Sequence, residues 1–217
     1  AKAFRDAPDV TRGCFVAGDV ATLRRAAKFI TGPGLVGLPV AEIRTASEAL
    51  EVPPRCIPVL PVLQAPELVQ VGVISASAGR MAADCVTWAA RAALRGDIAA
   101  LVTAPLHKEA LAAAGVDFPG HTELLQAEAA AHLGRPVQEV PVRMMLANDE
   151  LKTVLVSIHL SLREAIAAVT TDNVLQTLRL THEFLLRTST PGQTRRRIGV
   201  AGLNPHAGEG GLFGREE

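Results

Sequence analysis

The stretch CIPVLPV, residues 56–62, is almost entirely apolar and shows no alternation between apolar and polar side chains. A strand with one solvated face alternates, whereas a strand buried on both faces does not. Further short runs rich in β-forming residues lie along the chain: CFVAGD (14–19), IAALVTA (98–104), VRMMLA (142–147), KTVLVSIHL (152–160) and RIGVAGLN (197–204). We therefore predict strands in all these runs, several of them buried on both faces.

Helical patterns lie between these runs. Segment 79–95 repeats apolar residues at helical spacing, carries charges on the opposite face and is followed by Gly96 as a candidate C-cap. Its apolar positions are Met81, Cys85, Trp88 and Ala92, and its charged positions are Asp84, Arg91 and Arg95. Segment 171–187 has a similar apolar face and a candidate N-cap. That face consists of Leu175, Leu178 and Leu185, and the candidate caps are Thr171 and Asp172.

The alternation of strands with helices predicts an α/β layered fold. The punctuation by glycine and proline gives way to longer helices near Pro105. We therefore expect a first α/β domain over residues 1–105 and a second over residues 106–217.

Composition excludes several classes of protein. The 217 residues carry 22 basic and 22 acidic side chains, so the chain lacks the basic excess typical of nucleic-acid binding. The three cysteines are widely spaced and form no CxxC pair, which favours a reducing compartment over a disulfide scaffold. No apolar run is long enough for a membrane span, and no signal peptide is evident. We therefore expect a cytoplasmic protein without membrane or nucleic-acid partners.

Three of the six histidines lie at or beyond the ends of predicted strands. These are His121, His159 and His206. Ligands of open α/β sheets gather outside the carboxyl ends of the strands, and imidazole is a common metal ligand. A hydrogen bond to a backbone carbonyl explains any single histidine equally well. The chain has no HExxH, zinc-finger or Walker pattern, and no GxGxxG follows a predicted strand. Spacing alone therefore predicts a histidine-lined site and no particular reaction.

Four motifs occur in a fixed order along the chain: TAPLHK (103–108), GHTE (120–123), HLSLRE (159–164) and GLNPHAGEGGLFGREE (202–217). Together they resemble the 4-hydroxythreonine-4-phosphate dehydrogenase family of vitamin B6 synthesis. The resemblance implies a three-layer α/β/α fold similar to isocitrate and isopropylmalate dehydrogenases. It also implies a homodimer whose active site is shared between subunits.

The resemblance implies roles for four residues. His121 and Thr122 of GHTE would bind substrate, and His159 and His206 would bind a divalent metal, with zinc, magnesium, cobalt and nickel left open. The family takes its third metal histidine from a later YHDQG motif. It uses NAD or NADP without a GxGxxG fingerprint, and no cofactor-binding or catalytic residue is assigned in this chain.

The chain departs from the family pattern in three places. Ser161 stands where the family usually has proline, a change expected to be minor. The opening GEPAGIGPE motif is absent, and so is the C-terminal portion with the third metal histidine. We therefore expect a chain truncated at both ends and inactive by itself.

Two charged residues near the motifs have alternative interpretations. Glu209 could orient a metal-binding histidine, or cap or hydrogen-bond the loop in which it lies. Lys108 could attract an anionic ligand, although a solvated lysine is favoured. The glycines at 208, 210 and 211 would let that loop turn closely around His206.

The implied reaction is metal-assisted oxidation of the C3 hydroxyl of 4-phosphooxy-threonine, followed by decarboxylation of the β-keto acid. Alternatives within the family are dehydrogenases of four-carbon sugar-acid phosphates, such as threonate or erythronate phosphate, and of a dihydrodiol carboxylate. Two alternatives lie outside the family's activities: a non-catalytic module that binds metal or partners, and a metal-dependent hydrolase.

Overall fold

The run at 56–62 forms the central strand of a small parallel sheet, β3 (Ile57–Pro61), in the computed structural model of the chain. The structure describes residues 1–31, 37–63, 67–118, 120–188 and 197–216. Ile57 and Val59 of this strand are fully buried, as predicted for a strand covered on both faces.

Contacts between Cα atoms separate two compact units, Ala1–Val140 and Pro141–Glu217. The first contains α1 (Lys2–Asp6), β1 (Val16–Gly18), α2 (Val20–Phe29), β2 (Val40–Glu42), a 3-10 turn (Ala46–Leu50), β3, α3 (Ala76–Arg95), α4 (Lys108–Ala113), α5 (His121–Leu133) and a 3-10 turn (Val137–Glu139). The second contains β4 (Met145–Ala147), β5 (Lys152–Val154), α6 (Leu162–Ala167), α7 (Thr171–Arg187) and a turn at Pro205–Gly211.

The sheet of the first unit has strand order β1-β3-β2, and both pairs are parallel. On one face, Ile57 and Val59 pack against Ala27 of α2. On the other face, Leu60 belongs to a cluster that includes Trp88 of α3. Since side chains alternate across a strand, these contacts place helices on both faces of the sheet. The predicted α/β fold with helices on both faces is therefore confirmed.

Helix α3 begins three residues before the predicted segment 79–95, and of the predicted apolar positions Ala92 is buried while Met81, Cys85 and Trp88 are half-buried. Ser75 caps its start by accepting a hydrogen bond from the Ala78 amide at 3.2 Å, and Gly96 ends it with φ of 82°. The predicted C-cap at Gly96 is thus confirmed. The charged positions of the opposite face are exposed: Asp84, Arg91 and Arg95.

A second core lies between α3, α4 and α5. Leu111 of α4 and Leu124 of α5 are almost fully buried and pack with Ala83 and Val86 of α3. Gly79 allows this packing, because a Cβ there would overlap the carbonyl oxygen of Ala110.

The second unit is held largely by polar contacts. Strands β4 and β5 pair antiparallel, with Met145 opposite Val154. The Arg143 guanidinium donates to Thr177 Oγ1 at 2.8 Å and to Gln176 Oε1 at 2.6 Å, which ties the segment before β4 to α7. Among the described residues of this unit, no hydrophobic side chain is buried.

Several details differ from the sequence predictions. Residues 98–104 and 197–204 form no strand, because no described segment pairs with them and their side chains are largely solvated. Val102 is 93% exposed and Val200 65% exposed, which is incompatible with a strand buried on both faces. Helix α7 is capped by Thr170, which accepts from the Asn173 amide at 3.3 Å, rather than by Thr171 or Asp172. Leu175 is 41% exposed, so the predicted apolar face of that helix is only partly covered.

The boundary between the two compact units lies 35 residues beyond the division that we predict near Pro105. Helices α4 and α5, which follow Pro105, pack on α3 within the first unit. The division into domains 1–105 and 106–217 stays a prediction. None of the helices in the described part of the chain combines the length and apolarity that crossing a membrane requires.

Candidate functional site

His121 opens helix α5, directly after Gly120. Its Nε2 atom is buried and has no hydrogen-bond partner among the described residues. Buried polar atoms are normally paired, so this nitrogen needs a partner that the described residues do not supply. Thr122 is half-buried beside it, and Leu124 in the following turn is 2% exposed and anchors the start of the helix in the core.

The preceding motif, TAPLHK, leads into α4. His107 is the N-cap residue of this helix, but its side chain makes no capping hydrogen bond. Lys108 is exposed, in agreement with the solvated alternative for this side chain.

His159 lies in the second unit, between the end of β5 and the start of α6. Its φ is +57°, a left-handed backbone value that residues other than glycine seldom adopt. Two residues later Ser161 caps α6 through a reciprocal capping box with Glu164. This box was foreseeable, since SLRE (161–164) has the S-x-x-E pattern, but the sequence interpretation treated Ser161 only as a minor change.

His206 belongs to a left-handed turn. Every residue from 206 to 211 has a positive φ, including the non-glycine residues His206, Ala207 and Glu209. The glycines at 208, 210 and 211 take φ values of 73°, 68° and 97°, the conformational freedom that the sequence led us to expect of them.

Contacts around this turn hold it together. The Phe213 amide donates to the Gly208 carbonyl at 3.1 Å, and the His206 and Phe213 rings lie 6.0 Å apart at 36°. Asn204 Nδ2 donates to Glu216 Oε2 at 2.6 Å, which links the two ends of the motif. The interpretation of the sequence missed this last pair. Glu209 is exposed, and its role in orienting a histidine stays a prediction.

The donor set of this chain fits part of a metal site. His159 and His206 carry imidazoles, which suit zinc, cobalt and nickel better than the oxygen-seeking magnesium ion. The described residues form no group of three or more His, Cys, Asp or Glu side chains that could hold a metal ion. A site using these two histidines therefore needs a further ligand from elsewhere. His121 and Thr122 lie in the first unit and both metal candidates in the second.

The comparison with protein families matches residues 10–217 to the family described as "Pyridoxal phosphate biosynthetic protein PdxA". The chain belongs to the PdxA family. Among curated PdxA relatives, 4-hydroxythreonine-4-phosphate dehydrogenase of Beijerinckia indica is 50% identical over 147 residues, 68% of this chain and 40% of that protein. D-threonate 4-phosphate dehydrogenase of Salmonella typhimurium is 41% identical over 216 residues, 97% of this chain and 59% of that protein.

Solved structures agree with the PdxA assignment. The 4-hydroxythreonine-4-phosphate dehydrogenase of Burkholderia phymatum matches with a TM-score of 0.79 and 34% identity, over 99% of this chain and 60% of that one. The Klebsiella pneumoniae enzyme of the same name matches with a TM-score of 0.75 and 35% identity, over 92% and 56%. The chain therefore spans about 60% or less of the length of these relatives.

Proposed function

We propose that this chain is part of a metal-dependent dehydrogenase that uses NAD or NADP to oxidise 4-hydroxythreonine 4-phosphate at its C3 hydroxyl, in the synthesis of pyridoxal phosphate. The match to the PdxA family over residues 10–217 carries this proposal. All four motif residues with implied roles lie inside the matched range: His121, Thr122, His159 and His206.

In the proposed reaction, a hydride leaves C3 of the substrate for the nicotinamide ring while the C3 hydroxyl loses its proton. The resulting β-keto acid then loses carbon dioxide. The side chains of His121 and Thr122 would bind and orient the substrate, and the unpaired Nε2 of His121 would gain the partner that it lacks in the described structure.

His159 and His206 would hold the divalent metal. When bound, such an ion supplies Lewis-acid stabilisation of negative charge on a substrate oxygen. The third ligand would come from outside this chain, and the site would be shared between the subunits of a cytoplasmic homodimer. The substrate is small and phosphorylated, so no nucleic-acid or membrane partner is part of this proposal.

Oxidation of D-threonate 4-phosphate is a second candidate function. It is favoured by the Salmonella typhimurium relative of that name, whose similarity extends over 97% of this chain. A dihydrodiol carboxylate is a more distant alternative, since the terephthalate 1,2-cis-dihydrodiol dehydrogenase of Burkholderia xenovorans matches with a TM-score of only 0.57 and 26% identity.

The test uses the complete dehydrogenase of which we propose this chain is part. It measures reduction of NAD and NADP at 340 nm with each of the three substrates in parallel. We expect 4-hydroxythreonine 4-phosphate to give the highest kcat/KM and EDTA to abolish turnover, with recovery on addition of Zn²⁺ or Co²⁺. His121→Ala should lower kcat/KM at least about a hundredfold, because a misplaced substrate costs that much. His132→Ala is the matched control, since His132 is exposed at the other end of the same helix.

The outcomes separate the candidates. A higher kcat/KM for D-threonate 4-phosphate would move the assignment to the second candidate. Full turnover in EDTA would remove the metal from the proposal, and equal activity of the His121→Ala and His132→Ala variants would remove His121 from the substrate site.

A further inference from the structure

We propose that Ser161, together with Glu164, is a positioning residue for His159: their capping box holds the start of α6 so that the strained backbone at His159 keeps its imidazole in place. This inference rests on the proposed metal-binding role of His159. It assigns a function to a residue that the family motif would treat as a replacement for proline.

The hydrogen bonds of the box are reciprocal. The Ser161 amide and hydroxyl both donate to Glu164 Oε2, at 3.1 Å and 2.8 Å, and the Glu164 amide donates to Ser161 Oγ at 3.4 Å. The bond from the Ser161 hydroxyl, and after it the bond from the Ser161 amide, favours the ionised carboxylate and lowers the pKa of Glu164. At neutral pH the box is therefore complete.

Packing does not replace these bonds. Helix α6 contains no buried residue, and the two neighbours of Ser161 are largely solvated, Leu160 being 47% and Leu162 85% exposed. An apolar residue before the cap often packs on the fourth residue of the helix and fixes the direction of its start. Here that pair is Leu160 and Ala165, and alanine offers only a methyl group to the half-exposed leucine. The polar box is thus the principal restraint on the backbone two residues after His159.

His159 needs such a restraint because its φ of +57° is unfavourable for a residue with a Cβ. If the following residues were free, the backbone would relax to ordinary φ values and the imidazole would turn away from its position. A ligand that binds one backbone state loses apparent affinity in proportion to the population of that state.

The dihedral angles of Ser161 explain how serine can stand in the place of proline. Its φ is −63° and its ψ 156°. A proline ring fixes φ near −65°, so the same backbone can be held by a ring or by a capping box. Serine supplies the restraint through hydrogen bonds, and proline would supply it through covalent geometry.

The experiment measures Co²⁺ binding to the complete homodimeric protein, which supplies the further ligand, by calorimetry and by the visible absorption of the bound ion, which reports coordination directly. Ser161→Ala should raise the Kd for Co²⁺ about fivefold, because loss of an N-cap side chain typically changes an equilibrium constant by about that factor. It should also weaken the absorption band of the bound ion. Glu164→Ala should do the same. Glu164→Gln keeps an acceptor oxygen and should stay within about twofold of the wild type.

Two further variants make the test specific. Ser161→Pro should restore Co²⁺ affinity to within about twofold, because the ring fixes the same φ. Thr170→Ala removes the cap of α7, which accepts from the Asn173 amide, and should leave the Kd unchanged. Thermal unfolding of both cap variants shows whether they lose similar stability.

Unchanged Co²⁺ affinity in Ser161→Ala, with loss of affinity in His159→Ala, would overturn the positioning role and leave the proposed function intact. Equal weakening by Ser161→Ala and Thr170→Ala, or failure of Ser161→Pro to restore binding, would also overturn it. Unchanged affinity in His159→Ala would instead overturn the metal-binding role of His159 itself, and the positioning role with it.

Discussion

Left-handed backbone at residues other than glycine is concentrated near the family motifs. Among the described residues, positive φ values at non-glycine positions occur at Arg55, His159, His206, Ala207 and Glu209. Both candidate metal ligands are in this set. Strained backbone persists only where surrounding structure holds it, and such strain gathers at functional sites. The capping box after His159 and the hydrogen-bonded turn around His206 provide that support.

The three cysteines differ in their surroundings. Cys14 is exposed and Cys56 buried. Burial, with a smaller contribution from the Asp84 and Asp19 carboxylates, raises the pKa of Cys85 to about 11, and burial also raises the pKa of Cys56. Since the thiolate is the reactive form, about one thousandth of Cys85 is reactive at pH 8.

We therefore predict that one thiol per chain reacts rapidly with 5,5′-dithiobis(2-nitrobenzoate) at pH 8, and that Cys14→Ser removes this fast phase. The rate at Cys85 should rise with pH toward 11, and Asp84→Asn should move that rise to lower pH by removing a like charge. Fast modification of both remaining thiols in the Cys14→Ser variant, or of Cys85 at pH 8 in the wild type, would contradict the burial of Cys56 and the partial burial of Cys85.

At the scale of elements, α3 organises the first unit. It contacts β1 on one side and both α4 and α5 on another, and its ends are capped by Ser75 and Gly96. Gly79 lies where its backbone meets that of α4. The glycine is therefore needed for a close approach of two helices.

Gly79→Ala tests this contact. Alanine in a helix interior normally gains about 1 kcal/mol over glycine. Here the added Cβ would overlap the Ala110 carbonyl oxygen and lie 2.9 Å from the Leu111 amide nitrogen, both backbone atoms that cannot easily move. Overpacking of this kind costs about 1–3 kcal/mol, so we expect a net loss of unfolding free energy in urea.

Ser77→Ala, at an exposed position of the same helix, is the control and should change the unfolding free energy by less than about 0.5 kcal/mol. A Gly79→Ala variant more stable than the wild type would show that α3 and α4 do not approach as closely as described.

At the scale of the molecule, the apolar core is unevenly distributed. The largest fully buried side chains, Ile57, Val59, Leu111 and Leu124, all belong to the first unit. In the described part of the second unit, only Thr177 and Gly208 are buried. Since burial of apolar surface is the main stabilising contribution to a fold, the two units should differ in local stability.

Hydrogen exchange followed by mass spectrometry of peptic peptides measures this difference. We expect amides of α3 and β3 to exchange most slowly and those of β4, β5 and α6 to exchange at least about a hundredfold faster. Peptides covering the largely solvated residues 99–105 provide an internal reference for fast exchange. Equal protection of both units would show that the second is stabilised by contacts other than those described.

The sequence by itself determined much that depends on local pattern. The run at 56–62, which lacks alternation of apolar and polar residues, predicted a strand buried on both faces. The helical periodicity of 79–95 and Gly96 predicted α3 with its C-cap. The ordered motifs predicted the family. These features succeed because they depend on side chains a few residues apart, or on long motifs that are specific in themselves.

Tertiary structure alone decided the pairing of strands and the partners of single atoms. Residues 98–104 and 197–204 have strand-like composition, but a strand exists only where a second segment completes its hydrogen bonds, and no described segment does. Three further features depend on more than local sequence. The burial of His121 Nε2 and the close approach at Gly79 depend on residues distant in sequence. The left-handed backbone at His159 depends on the path of the loop between β5 and α6. Composition cannot specify them, because the free energy of each depends on which atoms the fold places beside it.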